Sequence, residues 1–307
     1  MTIQQLFYII TISEKGSLNK AAESLYISQP SLSSAVKELE KEVGITIFNR
    51  GGRGVTLTND GIEFLSYARQ LYQQYETIKD KYGDGAKRKK KFGVSTQHYS
   101  FAVKCFVEMV KKYNIDDYEF AIRETKTKDV INDVWTMKSE IGILHLSDFN
   151  RKFIIKLLNE NDLEFHKLIE ANAYVYLYKN HPLANKKSIS FEELRDYPCL
   201  FFEQGDDSSF YFNEEILSTM EYPKIIHTND RSSNLNLMVG LNAYTLCSGI
   251  ICEELNGDDY LAVPFKSDKE TPNSIMEIGY ITKNNTVLST MGKEFIEEMK
   301  KYLKADE

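Results

Sequence analysis

Residues 16–61 read GSLNKAAESLYISQPSLSSAVKELEKEVGITIFNRGGRGVTLTNDG. Gly16 stops a first helix, Met1 to Glu14, whose Leu6, Ile9 and Ile10 recur at helical spacing. Ser17 is a good N-cap for a short second helix, Leu18 to Leu25, and its Ala21-Ala22 pair lets another helix approach closely. Tyr26-Ile27 makes a brief turn. Ser28 then caps a third helix, with Pro30 tolerated in its first turn. Leu32, Val36, Leu39 and Val43 form that helix's apolar stripe, and Gln29, Ser31, Ser33, Ser34 and Lys37 occupy the opposite face.

Two short helices joined by a tight turn are the unit of the helix-turn-helix, whose second helix sets polar side chains against base edges in a major groove. Gln can bond adenine and Ser can serve several bases, although a helix start also favours Ser for capping alone. Gly44 ends the third helix. Ile45–Phe48 and Val55–Leu57 are β-rich and flank Asn49-Arg50-Gly51-Gly52-Arg53-Gly54, a hairpin with a two-arginine tip. Such a wing places Arg50 and Arg53 near phosphates or a minor groove, and a solvated surface hairpin is the plain alternative.

Taken in order, Gly16 to Ala22, Leu25, Ser28-Gln29-Pro30-Ser31-Leu32-Ser33, Leu39-Glu40, Gly44, Ile47-Phe48-Asn49-Arg50 and Leu57-Thr58-Asn59-Asp60-Gly61 resemble the winged helix-turn-helix of LysR-type transcriptional regulators. Two positions depart from the common pattern. Ser34 stands where many members carry a basic residue, and Leu18 where many carry an aromatic. The resemblance implies a winged helix-turn-helix over residues 1–58, and a linker helix with a basic hinge over 59–91. It implies a two-lobed, periplasmic-binding-protein-like α/β effector domain over 92–307, with lobe I at 92–161 and 268–307 and lobe II at 162–267. On that pattern Ser28, Gln29, Pro30, Ser31, Ser33, Ser34, Lys37, Arg50 and Arg53 face double-stranded DNA. The family pattern also implies a homodimer or homotetramer, and RNA polymerase as a further partner.

The connector supports the pairing independently. Phe64, Ala68, Leu71, Tyr75, Ile78 and Tyr82 alternate spacings of four and three, a heptad seam that a partner helix would bury. Packing on its own domain is the alternative. Gly83-Asp84-Gly85 breaks the helix, and Lys87 to Lys91 form a basic hinge.

Residues 92–307 alternate short strands with amphipathic helices, an α/β pattern with largely parallel sheets. Strands are predicted at 92–94, 118–123, 141–144, 174–178, 200–202, 225–227, 244–246, 261–263 and 277–282, and helices near 99–112, 128–137, 191–195, 210–220, 232–241 and 288–303. Ligands of open α/β sheets sit beyond the carboxyl ends of strands, often at helix N-termini. That rule selects Ser95, Thr96, Gln97 and His98, then Glu124 and Thr125, then Phe202, Glu203 and Gln204, then Thr228, Asp230 and Arg231. Acids and hydroxyls together point to an amino-acid-like ligand. Ser95–Tyr99, Ser139–Ile143, His181–Ala184 and Thr228–Arg231 also resemble a Gram-positive subgroup controlling cysteine and methionine metabolism, which implies O-acetylserine or a related metabolite as effector.

Composition closes off other classes. The chain has 307 residues, 42% apolar and 27% charged, ordinary for a globular protein of about two domains. Residues 1–91 carry 14 Lys+Arg against 10 Asp+Glu, whereas the whole chain has a net charge of −7. A mildly basic front on an acidic protein fits one part meeting an anion. No GxSxG, P-loop, GxGxxG after a strand or HExxH occurs, so an enzyme is not expected, and neither a cofactor nor a metal. No membrane segment or signal peptide is evident, so a cytoplasmic location is expected. A thiol redox switch through Cys247 and Cys252 is the rival mechanism. Their apolar, Lys- and Arg-free surroundings favour inert thiols.

Overall fold

The structure, a computed structural model, describes residues 1–51, 54–82, 90–113, 118–205, 209–267 and 274–305. Two compact units result: Met1–Arg88 with Trp135–Lys138, and Lys89–Val134 with Ser139–Glu307.

In the first unit, α1 (Ile3–Lys15) starts with a reciprocal cap between Thr2 and Gln5 and stops at Gly16 in the left-handed region, φ 61°. Ser17 caps α2 (Leu18–Ser24), and Ser28 caps α3 (Gln29–Val43), which ends at Gly44, φ 74°. Leu32, Val36 and Leu39 of α3 are buried with Ile9, Ile12 and Ala21 in one core. The wing is an antiparallel pair, β1 (Phe48–Gly51) and β2 (Gly54–Leu57), with Phe48 opposite Leu57. The expected first strand begins late, at Phe48. The Ile47 and Phe48 N–H groups are spent on Glu40 Oε1, at 2.8 and 3.1 Å, which ties the wing to α3. Thr58 then leads into the long α4 (Asn59–Tyr82), its Oγ1 accepting from Gly61 N–H at 2.9 Å.

The second unit runs β3 (Lys90–Thr96), α5 (Ser100–Lys112), β4 (Tyr118–Glu124), α6 (Thr127–Trp135), β5 (Ile141–Leu146), α7 (Arg151–Glu160), β6 (Leu163–Asn172), β7 (Tyr174–Tyr178), α8 (Phe191–Leu194) and β8 (Cys199–Phe202). A 3-10 turn at Phe210–Phe212 follows, then β9 (Ile225–Thr228), α9 (Arg231–Leu241), β10 (Tyr244–Cys247), α10 (Glu253–Asn256), β11 (Tyr260–Pro264), β12 (Ile275–Lys283) and α11 (Thr290–Ala305). These build two five-stranded sheets, ordered β4-β3-β5-β12-β6 and β11-β7-β10-β8-β9. Each is a lobe. Both are mixed rather than largely parallel: β3 pairs in parallel with β4 and β5, while β12 lies antiparallel to β5 and β6. In the second lobe β8 and β9 are parallel, and β7 is antiparallel to β10 and β11. All six residues of β5 are buried, as a central strand covered on both faces requires.

Three expectations are corrected. The chain does not cross to the second lobe at 162. The ten-residue β6 pairs with β12 along its whole length, so that strand stays in the first sheet and the crossing falls at Ala173. Helix α7 was not anticipated; Ile154 and Leu158 are its buried positions. Residues 210–220 do not form the expected helix. Only Phe210–Phe212 turn as a 3-10 element, and Leu217 adopts φ 60°, which an α-helix cannot hold. The segment instead folds over the end of β8, where Glu215 Oε1 accepts the Phe202 N–H at 2.7 Å.

Candidate functional site

The polar face of α3 is set by its stripe. With Leu32, Val36 and Leu39 inward, Pro30, Ser31, Ser34 and Lys37 are exposed at spacings of one, three and three, while Gln29 and Ser33 are half-buried. Ser28 is also exposed, but its Oγ accepts the Ser31 N–H at 3.2 Å, so it caps the helix whatever else it meets. Ser34 Oγ reaches Glu38 at 3.4 Å in place of the basic side chain common at that position. The Arg50 side chain and the whole of Arg53 lie outside the described residues.

The α4 seam divides in two. Phe64 packs against the first unit's core and Ala68 is 1% exposed, so these two positions are used within the chain. Leu71, Tyr75 and Ile78 are 48%, 38% and 60% exposed. The Tyr82 side chain lies outside the described residues.

In the second unit the carboxyl end of β3 meets the second lobe, and most of the anticipated residues gather there in unequal roles. Ser95 and Thr96 are wholly buried. Ser95 Oγ donates to Asp133 Oδ2 at 2.6 Å, and Thr96 Oγ1 donates to the Gln97 carbonyl at 2.7 Å. Both hold the loop rather than face the cleft. Gln97 is a hub: its Nε2 donates to Thr127 Oγ1 at 2.6 Å, and its Oε1 accepts the His145 N–H at 3.0 Å. His98 is the residue that reaches across. Its ring stacks on Phe202 at 3.6 Å and 3°. Its backbone N–H donates to Glu214 Oε2 at 3.0 Å, and Nδ1 lies 2.9 Å from the same oxygen.

Gln204 bridges the lobes too. Its Nε2 donates to Glu214 Oε1 at 3.0 Å, and its Oε1 accepts the Thr127 N–H at 3.0 Å. Glu124 and Arg231 meet as an ion pair at the cleft edge. Thr125 N–H donates to the Thr96 carbonyl, and Glu203 is exposed with its N–H on the Thr228 carbonyl. Thr228 Oγ1 donates to Asn234 at 2.5 Å, and Asp230 caps α9 by accepting from Ser233 N–H at 2.8 Å. Thr228 and Asp230 therefore shape α9 rather than line the cleft. Thr127, His145, Glu214 and Glu215 are the cleft residues that sequence reasoning missed. The two glutamates were hidden because 210–220 reads as an amphipathic helix.

Burial sets the chemistry here. It pushes His145 down to about 4, so the ring is neutral at physiological pH. It pushes Glu215, beside Glu214, up to about 8. Tyr99, whose hydroxyl donates to Gln97 Oε1 at 3.2 Å, is raised well above its usual range by burial. Cys247 is pushed up to about 12 by burial, the opposite of a reactive thiolate.

Two family profiles match most of the chain. "Bacterial regulatory helix-turn-helix protein, lysR family" matches residues 3–62, and "LysR substrate binding domain" matches residues 117–304. The chain belongs to the LysR family. Among relatives of this regulator, the Bacillus subtilis transcriptional regulator AlsR is 29% identical over 204 residues, 65% of the chain and 64% of AlsR, so the match spans a little under two thirds of that protein. The Bacillus subtilis regulator CysL is 25% identical over 251 residues, 80% of each chain. Full-length OxyR from Pseudomonas aeruginosa shares the fold at a TM-score of 0.67 and 20% identity, covering 99% of this regulator and 95% of OxyR. Membership places the regulator among DNA-binding transcription factors with an effector-binding domain, not among enzymes. Among the described residues no helix is long and apolar enough to cross a membrane.

Proposed function

We propose that the regulator is a cytoplasmic homo-oligomer that reads a palindrome-like operator and responds to an amino-acid-like effector held between its lobes. The α3 face of Gln29, Pro30, Ser31, Ser33, Ser34 and Lys37 enters the major groove, and Arg50 and Arg53 of the wing lie beside it. Residues 1–58 serve as the DNA-binding domain, and 59–91 as the pairing helix and hinge. Leu71, Tyr75 and Ile78 bury their exposed faces against the partner's helix. O-acetylserine or another sulfur amino-acid metabolite is the effector class favoured by the sequence resemblance. The effector acts by binding one arrangement of the lobes better than the other.

The observation that carries this reading is the carboxylate seat at His98. A backbone N–H and a ring nitrogen at the end of β3 converge on one carboxylate oxygen, that of the protein's own Glu214, in a cleft shielded from water. Charge-assisted bonds of that kind are about twice as strong as neutral ones. Thermal unfolding of the full chain in the presence of sulfur amino-acid metabolites tests it. A ligand at 100 times its Kd adds about 2.7 kcal/mol. A raised midpoint with O-acetylserine or homocysteine supports the assignment. No shift from any sulfur metabolite overturns the pathway, and leaves the regulator class standing on its family.

A further inference from the structure

The carboxylate in the seat belongs to the protein itself, and beside it lies a second, buried glutamate that the fold leaves half-used. Glu214 Oε2 sits on the His98 amide, and Glu214 Oε1 accepts from Gln204. Glu215 is 4% exposed. Its Oε1 accepts the Phe202 N–H, but its Oε2 is buried with no hydrogen-bond partner among the described residues. A buried polar atom without a partner costs about 1–3 kcal/mol. Folds rarely keep such an atom without a use. Glu215 also lines a cavity of about 20 Å³, together with His145, Ser147, Asn150, Tyr211 and Asn213. That volume admits one group the size of a water.

From this juxtaposition we infer an ammonium subsite, built from Glu215 and Glu214, that completes the carboxylate seat at His98 and restricts the effector to α-amino acids. The inference rests on the reading of the lobe cleft as the effector site. An ammonium group is water-sized and carries three donors and no acceptor. Once it displaces the proton that burial holds on Glu215, it supplies the partner that Glu215 Oε2 lacks. The lining offers Ser147, Asn150 and Asn213 oxygens as further acceptors, and His145 is neutral, so it does not repel a cation.

Glu214 links the two halves of the site. In the free protein its carboxylate fills the seat. An incoming α-carboxylate takes over the His98 N–H and Nδ1, and the released Glu214 turns to the ammonium beside Glu215. The exchange swaps one carboxylate for another on His98, so the seat is never empty. A ligand without the ammonium gains nothing from it, because it leaves Glu214 beside Glu215 with no cation between them. Glu214 comes from the second lobe and His98 from the first, so the exchange also breaks a contact between the lobes.

The test uses three matched probes on the full chain: L-serine, 3-hydroxypropionate (serine without its ammonium) and ethanolamine (serine without its carboxylate). Midpoints of thermal unfolding are compared at matched ionic strength. L-serine raises the midpoint by several degrees, and neither single-charge probe does. Glu215→Gln removes the L-serine shift. Glu214→Gln, which vacates the seat of its charge, makes 3-hydroxypropionate stabilising. Near-ultraviolet circular dichroism verifies that both isosteric variants are folded. Equal shifts from L-serine and 3-hydroxypropionate in the native chain, or an undiminished L-serine shift in Glu215→Gln, would overturn the subsite. These probes are independent of the sulfur pathway. A chain that answers L-serine but not O-acetylserine loses the pathway and keeps the subsite.

Discussion

Gly61 shows how one residue joins two elements. It lies in the first turn of α4, where Gly costs about 1 kcal/mol relative to Ala. A Cβ there would stand 2.1 Å from the Ile47 carbonyl oxygen and 3.0 Å from Thr58 Oγ1. The close approach lets Thr58 bond both the wing and the helix. Gly61→Ala should therefore destabilise the first unit by about 1–3 kcal/mol, against its helix propensity. A rise in urea midpoint on that substitution would show that the backbone can move apart. Glu215 is the other residue whose surroundings oppose its chemistry. It holds a proton in the folded chain up to about pH 8, whereas the unfolded carboxyl releases it near 4.5. The folded state thus binds more protons between those values, and its stability falls as pH rises, by at most about 1.4 kcal/mol per pH unit. Above about pH 8 this contribution is lost and the slope ends. Glu215→Gln should flatten the fall, which urea unfolding across that range would measure. An unchanged slope would mean that another group carries it.

Among the elements, α4 carries the clearest division of labour. Its first half is an ordinary amphipathic helix, with Leu65 and Ala68 buried. Its second half exposes Leu71, Tyr75 and Ile78 in the same heptad register. A single helix gains nothing from that stripe, whereas two helices bury it in each other at about 25 cal/mol per Å². Ile78→Glu should lower the oligomeric state on size-exclusion chromatography with light scattering, and weaken operator binding in parallel. An unchanged mass would move pairing to other surfaces. The wing is the second informative element. Arg50→Ala with Arg53→Ala should weaken DNA binding and reduce its salt slope by about one for each lost phosphate contact. Binding unchanged across a salt titration would remove the wing from the interface.

The whole molecule decides whether the thiols matter. Four cysteines lie at 105, 199, 247 and 252, none of them disulfide-bonded. Cys105, Cys199 and Cys252 are at most 2% exposed, and burial pushes Cys105 and Cys247 up to about 12. A maleimide should leave the native chain unmodified and label all four thiols in denaturant, and rapid native labelling of Cys247 would restore a redox mechanism. The winged helix-turn-helix was legible because its determinants are local: caps at Ser17 and Ser28, left-handed glycines at Gly16 and Gly44, and a stripe of period 3.6. Nine strands of the second unit were legible for the same reason, whereas the ten-residue β6 was not anticipated. The lobe boundary was not, because β6 belongs with β12 and its pairing spans more than a hundred residues of chain. Nor were Glu214 and Glu215, which an amphipathic pattern assigns to a helix until Leu217 breaks it. By itself the sequence determined the family, the α3 face and the loop at the end of β3, since each is written in neighbouring residues. Only the tertiary structure decided that Ser95 and Thr96 brace the loop, that His98 reaches across the cleft, and that Glu214 fills its seat. Those roles depend on burial and on contacts between distant segments, and residue order does not encode either locally.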